Sequence, residues 1–159
     1  MHITIIAVGK LKEKYLQTGV AEYSKRLTPF CKLKIIEVSE EKMPDNPSPA
    51  EKAAVLARED ERVLKQVPRD SYLIALDVQG KLLSSEGLAA RLADLALNGR
   101  SDLSFVIGGA FGLSAQLTAA AAERLSFSPL TFTHQMIRLL LVEQIYRAFK
   151  INAGEPYHW

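Results

Sequence analysis

Short apolar runs alternate with helix-like apolar patterns along the chain. The runs predict five strands: Ile3–Val8, Leu33–Val38, Tyr72–Val78, Leu103–Ile107 and a short one near Leu125–Phe127. Apolar residues at helical spacing predict helices over about 11–27, 48–66, 84–98 and 133–149, and another one capped by Ser114. Strands that alternate with helices predict an α/β fold, a single domain over 1–159 with a parallel sheet and helices on both faces.

Local signals mark several helix ends. Ser48–Glu51 has the pattern of a capping box with proline at the first helical position. Ser84 or Ser85 is expected to cap the third helix, and Asn98-Gly99 is expected to end it.

The last predicted helix carries more apolar residues than one buried face requires. They are Met136, Ile137, Leu139, Leu140, Leu141, Val142, Ile145, Tyr146 and Phe149. This excess indicates burial against a second copy of the chain, so a homodimer is expected. Deep burial of the helix within one chain is the alternative.

Composition narrows the class of protein. Of 159 residues, 48% are hydrophobic and 24% charged, as is usual for a globular domain. The one cysteine, Cys31, cannot form an intrachain disulfide and is expected to be a packing residue in a reducing compartment. The N-terminus lacks the pattern of a signal peptide, and no apolar run reaches the roughly 20 residues that span a bilayer. A cytoplasmic protein with no membrane contact is expected.

The net charge of +2 is unevenly distributed. Residues 1–34 hold seven basic residues against Glu13 and Glu22, a local excess of five. A basic patch that contacts nucleic-acid phosphates and a merely solvated helix face explain this excess equally well.

Several enzyme classes lack their motifs here. There is no nucleophile elbow and no Walker loop, and His2, His134 and His158 do not have metal-ligand spacing, so no metal is expected. The first strand is followed by one glycine, Gly9, where a dinucleotide fingerprint needs several. This argues against a nicotinamide or flavin oxidoreductase and against an ordinary Rossmann methyltransferase.

Ligands of parallel sheets lie beyond the carboxyl ends of the strands, so the loops after Leu76, Ile107 and Phe127 are the candidate site. Gly108–Gly112 lets the backbone approach a ligand closely, although a tight turn alone would also use these glycines. Residues 125–134 mix hydroxyls with apolar side chains. Such a segment suits an adenine ring, or equally a loop that covers the core.

The C-terminal tail ends in three aromatic residues, Tyr157, His158 and Trp159. They suit stacking or proton transfer, or else docking on the domain's own surface. Arg147 is a candidate for binding negative charge, although Glu143 lies four residues before it and predicts a surface ion pair.

These motifs in this order resemble the SPOUT methyltransferases and, among them, the ribosomal RNA large subunit methyltransferase H family. The resemblance covers essentially the whole chain. It is carried by residues 6–12, Leu76-Asp77 with Gly80-Lys81, Phe105–Gly109, residues 125–135, Glu143–Ala148 and Tyr157-His158.

The resemblance implies a trefoil knot in the C-terminal part, a homodimer and S-adenosylmethionine as the cofactor. It implies methylation of N3 of a pseudouridine in 23S rRNA, at the subunit-interface stem-loop of the assembled ribosome. The implied cofactor contacts are Leu76, Gly108, Phe127, Ser128, Pro129, Leu130, Thr131 and Phe132.

The same resemblance gives the tail residues their roles. His158 or Tyr157 would remove or relay the imide proton, and Arg147 would hold a phosphate or stabilise charge on the base. The sequence departs from the family pattern at Pro129-Leu130 and at Trp159, where relatives often carry Lys-Met and a basic residue. A noncatalytic RNA-binding module is the other function that these residues leave open.

Overall fold

The computed structural model describes residues 1–159 and confirms the predicted alternation of strands and helices. The strands are β1 (His2–Val8), β2 (Lys32–Val38), β3 (Tyr72–Leu82), β4 (Asp102–Ile107) and β5 (Glu123–Ser126). The helices are α1 (Lys14–Leu27), α2 (Pro49–Leu64), α3 (Ser85–Leu97), α4 (Ala115–Ala120) and α5 (Met136–Asn152). No helix is both long enough and apolar enough to cross a membrane.

The five strands form one parallel sheet in the order β2-β1-β4-β3-β5. The two most continuously apolar strands, β1 and β4, lie next to each other, and Ile5 on β1 is opposite both Ile35 and Phe105. Because all strands run the same way, the loops that follow them meet at one edge of the sheet.

Helices cover both faces of the sheet, as predicted. On one face α1, α3 and α5 bury a cluster that includes Ile5, Phe105 and Leu141. On the other face α2 and α4 pack on Ile6 and Val106. Side chains of successive strand residues point to opposite faces, which explains why these strands are apolar throughout.

The predicted helix caps form. Ser48 Oγ accepts a hydrogen bond from the Glu51 amide at 3.1 Å, and the Glu51 carboxylate accepts one from the Ser48 amide at 3.2 Å. Ser84, rather than Ser85, caps α3 by accepting from the Gly87 amide at 3.0 Å. Such caps satisfy backbone donors that the first turn of a helix leaves free.

Several boundaries differ from the predictions, among them the start of α1 at Lys14 and the end of α5 at Asn152, and two of the differences have a clear physical cause. β3 continues to Leu82, because it pairs with β5 a second time after an irregularity between Leu76 and Lys81. α5 begins at Met136 instead of Thr133, since the Thr133 hydroxyl accepts from the Met136 amide at 3.1 Å and so precedes the helix.

α5 packs against both α1 and α3, so most of its apolar surface is covered within the chain. Leu141, Val142 and Ile145 are buried. Its contact with α1 is close: a Cβ on Gly19 would lie 2.9 Å from Leu139 Cδ1. The apolar excess of this helix therefore has an intramolecular explanation, the alternative considered above, and the homodimer stays a prediction.

Candidate active site

A cavity of about 490 Å³ opens at the carboxyl edge of the sheet, between the ends of β3 and β4 and the segment after β5. Its volume is typical of small-molecule sites. It is lined by Leu76, Asp77, Val78, Ile107, Gly108, Gly109, Ala110, Gly112, Leu125, Ser126, Phe127, Ser128, Leu130, Thr131, Phe132, Thr133, His134 and Ile137. The three loops predicted to form a site therefore meet around one cavity.

The glycine turn after β4 brings the backbone to the cavity wall. Gly109 and Gly112 face each other across a bridge, and the Gly112 amide donates to the Gly109 carbonyl at 3.0 Å. A Cβ on Gly108 would lie 2.5 Å from the Gly112 carbonyl carbon, closer than side chains approach. The turn thus needs glycine for close contact between its own two ends.

The segment after β5 forms the opposite wall. Ser126 Oγ donates to the Ser128 carbonyl at 3.3 Å, and Ser128 Oγ accepts from the Leu130 amide at 2.9 Å. Leu130 and Phe132 remain 74% and 43% exposed at the mouth of the cavity. Of the eight cofactor contacts implied by the resemblance, only Pro129 does not line the cavity.

The cavity wall carries few ionisable groups, Asp77 and His134, and no lysine or arginine. The Asp77 carboxylate accepts a hydrogen bond from Arg124 Nε at 2.9 Å. Burial, and then the charge of Arg138, lower the pKa of His134, so its ring is mostly neutral at pH 7. Neither residue is among the eight implied cofactor contacts, although Asp77 follows Leu76 and His134 ends the 125–134 segment that suits an adenine ring.

The three predicted catalytic residues lie together in what we call the tail cluster, with Glu143 and Glu86. Tyr157 Oη donates to Glu143 Oε1 at 2.9 Å, and Arg147 Nε donates to the same oxygen at 3.1 Å. Arg147 Nη1 lies 3.1 Å from His158 Nδ1, and His158 Nε2 lies 2.8 Å from Glu86 Oε1. The ion pair expected from the spacing therefore forms and extends into a larger network.

The hydrogen bonds of the tail cluster fix the tautomer of His158. A guanidinium has donors only, so Nδ1 of His158 must accept from Arg147. The ring proton is then on Nε2 and is donated to Glu86. His158 consequently has its one basic nitrogen facing Arg147.

Tyr157 has the opposite character. Burial, followed by the hydrogen bonds with Tyr23 and Glu143, raises the pKa of Tyr157, so its phenol holds its proton at neutral pH. Tyr23 Oη is 3.3 Å from Tyr157 Oη, and the ring of Tyr146 packs edge-on against Tyr157 at 4.8 Å. Sequence reasoning missed Tyr23, which lies on α1, far from the tail in the chain.

The tail cluster and the cavity remain separate within one chain. None of Tyr157, His158 and Arg147 lines the cavity. A second cavity of about 240 Å³, bordered by α3 and α5, shares Phe127 and Phe132 with the first one. The cluster residues do not line that cavity either.

The early basic residues divide between two edges of the sheet. Gln135 accepts from the Lys12 amide at 3.0 Å and donates to the Lys10 carbonyl at 3.1 Å, which fixes that loop beside the cavity-lining segment. Lys25 and Arg26 are in the last turn of α1, at the opposite edge. The seven residues therefore do not form one continuous patch.

Comparisons with known proteins identify the family of the chain. Residues 1–158 match the family model described as "Predicted SPOUT methyltransferase". The chain is 54% identical over 158 residues to ribosomal RNA large subunit methyltransferase H of Pelotomaculum thermopropionicum, and 53% identical to that of Clostridium novyi. Each alignment covers 99% of this chain and 99% of the relative.

Solved structures share the fold at low sequence identity. The tRNA (m1G37) methyltransferase of Aquifex aeolicus superposes with a TM-score of 0.55 at 10% identity, covering 100% of this chain and 75% of that one. A structure concerned with 2-OH methylation of C/U34 on tRNA superposes with a TM-score of 0.51 at 14% identity, covering 97% of this chain and 98% of that one. These likenesses support the fold class inferred from the alternation of elements.

Proposed function

The chain belongs to the SPOUT methyltransferase family, and from this we propose that it transfers a methyl group from S-adenosylmethionine to ribosomal RNA of the large subunit. The relatives that match over the full chain carry that substrate in their names. We further propose N3 of a pseudouridine in 23S rRNA, on the assembled ribosome, as the acceptor that the resemblance implies. The trefoil knot of the family likewise stays a prediction for this chain.

The composition of the cavity wall is the observation that supports S-adenosylmethionine as the cofactor. Flavin and nicotinamide nucleotides bear phosphates, which proteins hold with arginine, lysine or free backbone amides. This wall has no arginine or lysine and has a carboxylate, Asp77. S-adenosylmethionine has no phosphate, so it suits a wall without arginine or lysine whose one carboxylate is already paired with Arg124. The backbone at Gly108 and the apolar Leu76 and Phe132 suit its adenosine part.

The chain's own residues would hold and align the cofactor. When bound, S-adenosylmethionine supplies an electrophilic methyl group on its sulfonium. Leu76, Gly108 and residues 127–132 would fix its position, and alignment of donor and acceptor is the main task of such a site. The acceptor imide must also lose its N3 proton as the new N–CH₃ bond forms.

His158 is the better candidate for this proton. Tyr157 holds its own proton and donates it to Glu143, so it is a poor base. An RNA oxygen that draws Arg147 away would free Nδ1 of His158 to accept the imide proton. The Nε2 proton would stay hydrogen-bonded to Glu86, whose carboxylate would stabilise the positive charge of the protonated ring. Arg147 would then face the negative charge of the RNA.

A second copy of the chain is part of the proposal. Within one chain the tail cluster does not reach the cavity wall, so a homodimer would let the tail of one chain serve the cavity of the other. Leu130, Phe132 and Met136 are exposed apolar residues near the cavity and suit coverage by a partner. Lys10 and Lys12, beside the cavity, suit contact with rRNA phosphates.

A calorimetric titration tests the proposal first. We expect saturable binding of S-adenosylmethionine, and no binding of FMN or NADH. Ribosomes from cells that lack this enzyme should then accept one labelled methyl group, mapped to a pseudouridine by nuclease digestion and mass spectrometry. Binding of FMN or NADH in place of S-adenosylmethionine would overturn the methyltransferase proposal. Cofactor binding with methylation at another base would overturn only the acceptor.

A further inference from the structure

Two consecutive carboxylates on α2 are buried behind the glycine turn. Glu59 is 6% exposed and Asp60 is 7% exposed, whereas the next acid along the helix, Glu61, is exposed and pairs with Lys65. Burying a carboxylate costs free energy unless hydrogen bonds compensate. The partners of these two acids therefore indicate why a helix face that packs on the sheet retains them.

Asp60 binds the far end of the glycine turn. Its carboxylate accepts a hydrogen bond from the hydroxyl of Ser114, which is half-buried. The same hydroxyl accepts from the Leu117 amide at 3.1 Å and so caps α4. A hydroxyl has one proton to donate, and here that proton goes to Asp60. The turn is thereby attached to α2 where it enters α4.

Glu59 lies behind the near end of the turn. Its Oε2 accepts from the Glu41 amide at 2.9 Å, and it is 3.7 Å from the position that a Cβ on Gly109 would occupy. The carboxylate thus holds the loop after β2 against the back of the turn. The two acids together support both ends of the segment that forms one wall of the cavity.

We propose that Asp60 and Ser114 form a positioning pair, which holds the glycine turn in the shape that binds the cofactor. Neither residue lines the cavity, so the pair acts through the turn. The identity of the ligand rests on the proposed function, whereas the attachment of the turn to α2 does not. Glu59 supports the same turn from behind.

Four variants test the pair by calorimetric titration with S-adenosylmethionine. Asp60→Ala and Ser114→Ala should each weaken binding about tenfold, since each removes a hydrogen bond to a charged group. The double variant should bind S-adenosylmethionine no more weakly than Ser114→Ala, because that single variant has already lost the contact with Asp60. Glu61→Ala, the matched control on the exposed side of α2, should bind like the wild type.

Two further readouts separate positioning from a general loss of stability. In rRNA methylation, Asp60→Ala should raise KM for S-adenosylmethionine about tenfold and leave kcat nearly unchanged. Asp60→Asn should restore most of the affinity, because its amide oxygen can still accept from Ser114. Hydrogen exchange of ligand-free protein should be faster at residues 109–117 in Asp60→Ala than in Glu61→Ala.

The outcomes distinguish this inference from the proposed function. If the wild type does not bind S-adenosylmethionine, the proposed function fails, and hydrogen exchange in 109–117 still tests the attachment. Wild-type affinity and exchange in folded Asp60→Ala would overturn the pair, as would strictly additive losses in the double variant. If Asp60→Ala does not fold, Ser114→Ala tests the loss of the contact, and Asp60→Asn, which keeps an acceptor for Ser114, is its control.

Discussion

Gly108→Ala tests whether the cavity wall depends on contact between the two ends of the glycine turn. The added Cβ would lie 2.5 Å from the Gly112 carbonyl carbon and 2.6 Å from its oxygen, where ordinary contacts begin at about 3.4 Å. One end of the turn must therefore move by about 1 Å. Overpacking of this kind against backbone costs up to about 3 kcal/mol.

Gly99→Ala is the matched control, because it separates steric overlap from backbone strain. Gly99 has φ +76, but a Cβ there would have no atom within 4 Å. Gly99→Ala should therefore lower the free energy of unfolding only by the strain of the left-handed conformation, about 1 kcal/mol. For a chain of this size we expect melting temperatures lower by roughly 6–12 °C for Gly108→Ala and about 2–4 °C for Gly99→Ala.

The two variants should also differ in ligand binding. Displacement of the turn should weaken S-adenosylmethionine binding in Gly108→Ala, whereas Gly99, which lies at the C-terminal end of α3, should leave it unchanged. Thermal denaturation and calorimetric titration of both variants measure these effects. A Gly108→Ala protein that melts no lower than Gly99→Ala and binds the cofactor normally would refute the steric argument.

Three further predictions follow from the tail cluster and the buried charges. His158→Gln should slow rRNA methylation at saturating cofactor about 100-fold, and Tyr157→Phe less than tenfold; the reverse order would make Tyr157 the base. Arg138→Leu should lower the free energy of unfolding in urea by about 1–3 kcal/mol, because it leaves the buried Val8 carbonyl without the Arg138 donor; an unchanged free energy of unfolding contradicts this. Burial raises the pKa of Asp60, so the folded wild type binds a proton more tightly than the unfolded chain does. The free energy of unfolding of the wild type should therefore fall relative to that of Asp60→Asn as pH rises from about 4 to 7. The same pH dependence of unfolding in both proteins would contradict the raised pKa.

The strands could be predicted because their residues are apolar on both faces, a pattern that is local in sequence. Ile3–Val8 and Leu103–Ile107 are continuous runs of this kind, and both became central strands. The second pairing of β3 with β5 is different, because it depends on contact between distant segments. There a Cβ on Gly80 would lie 2.7 Å from the Arg124 carbonyl carbon. This close contact could not be predicted from the residues around Gly80, because Arg124 is distant in the chain.

The distribution of charge was less predictable than the strands. Lys14 and Lys25 are both on α1, and a helix of 14 residues spans about 21 Å. Because α1 returns from one edge of the sheet to the other, residues that are close in the chain are carried to opposite ends of the domain. Lys10 and Lys12, which precede α1, stay beside the cavity.

The two parts of the candidate site differ in the same way. The cavity wall could be predicted as a set of loops, because every strand of a parallel sheet ends at the same edge. The tail cluster joins His158 to Glu86, 72 residues earlier, and Tyr157 to Tyr23, 134 residues earlier. These contacts distinguish the two proposed bases, since Arg147 fixes the tautomer of His158 and Glu143 accepts the hydrogen bond of the Tyr157 phenol. The choice of His158 over Tyr157 as the base therefore rests on hydrogen bonds between elements, whereas the sequence supplied the two as equal candidates.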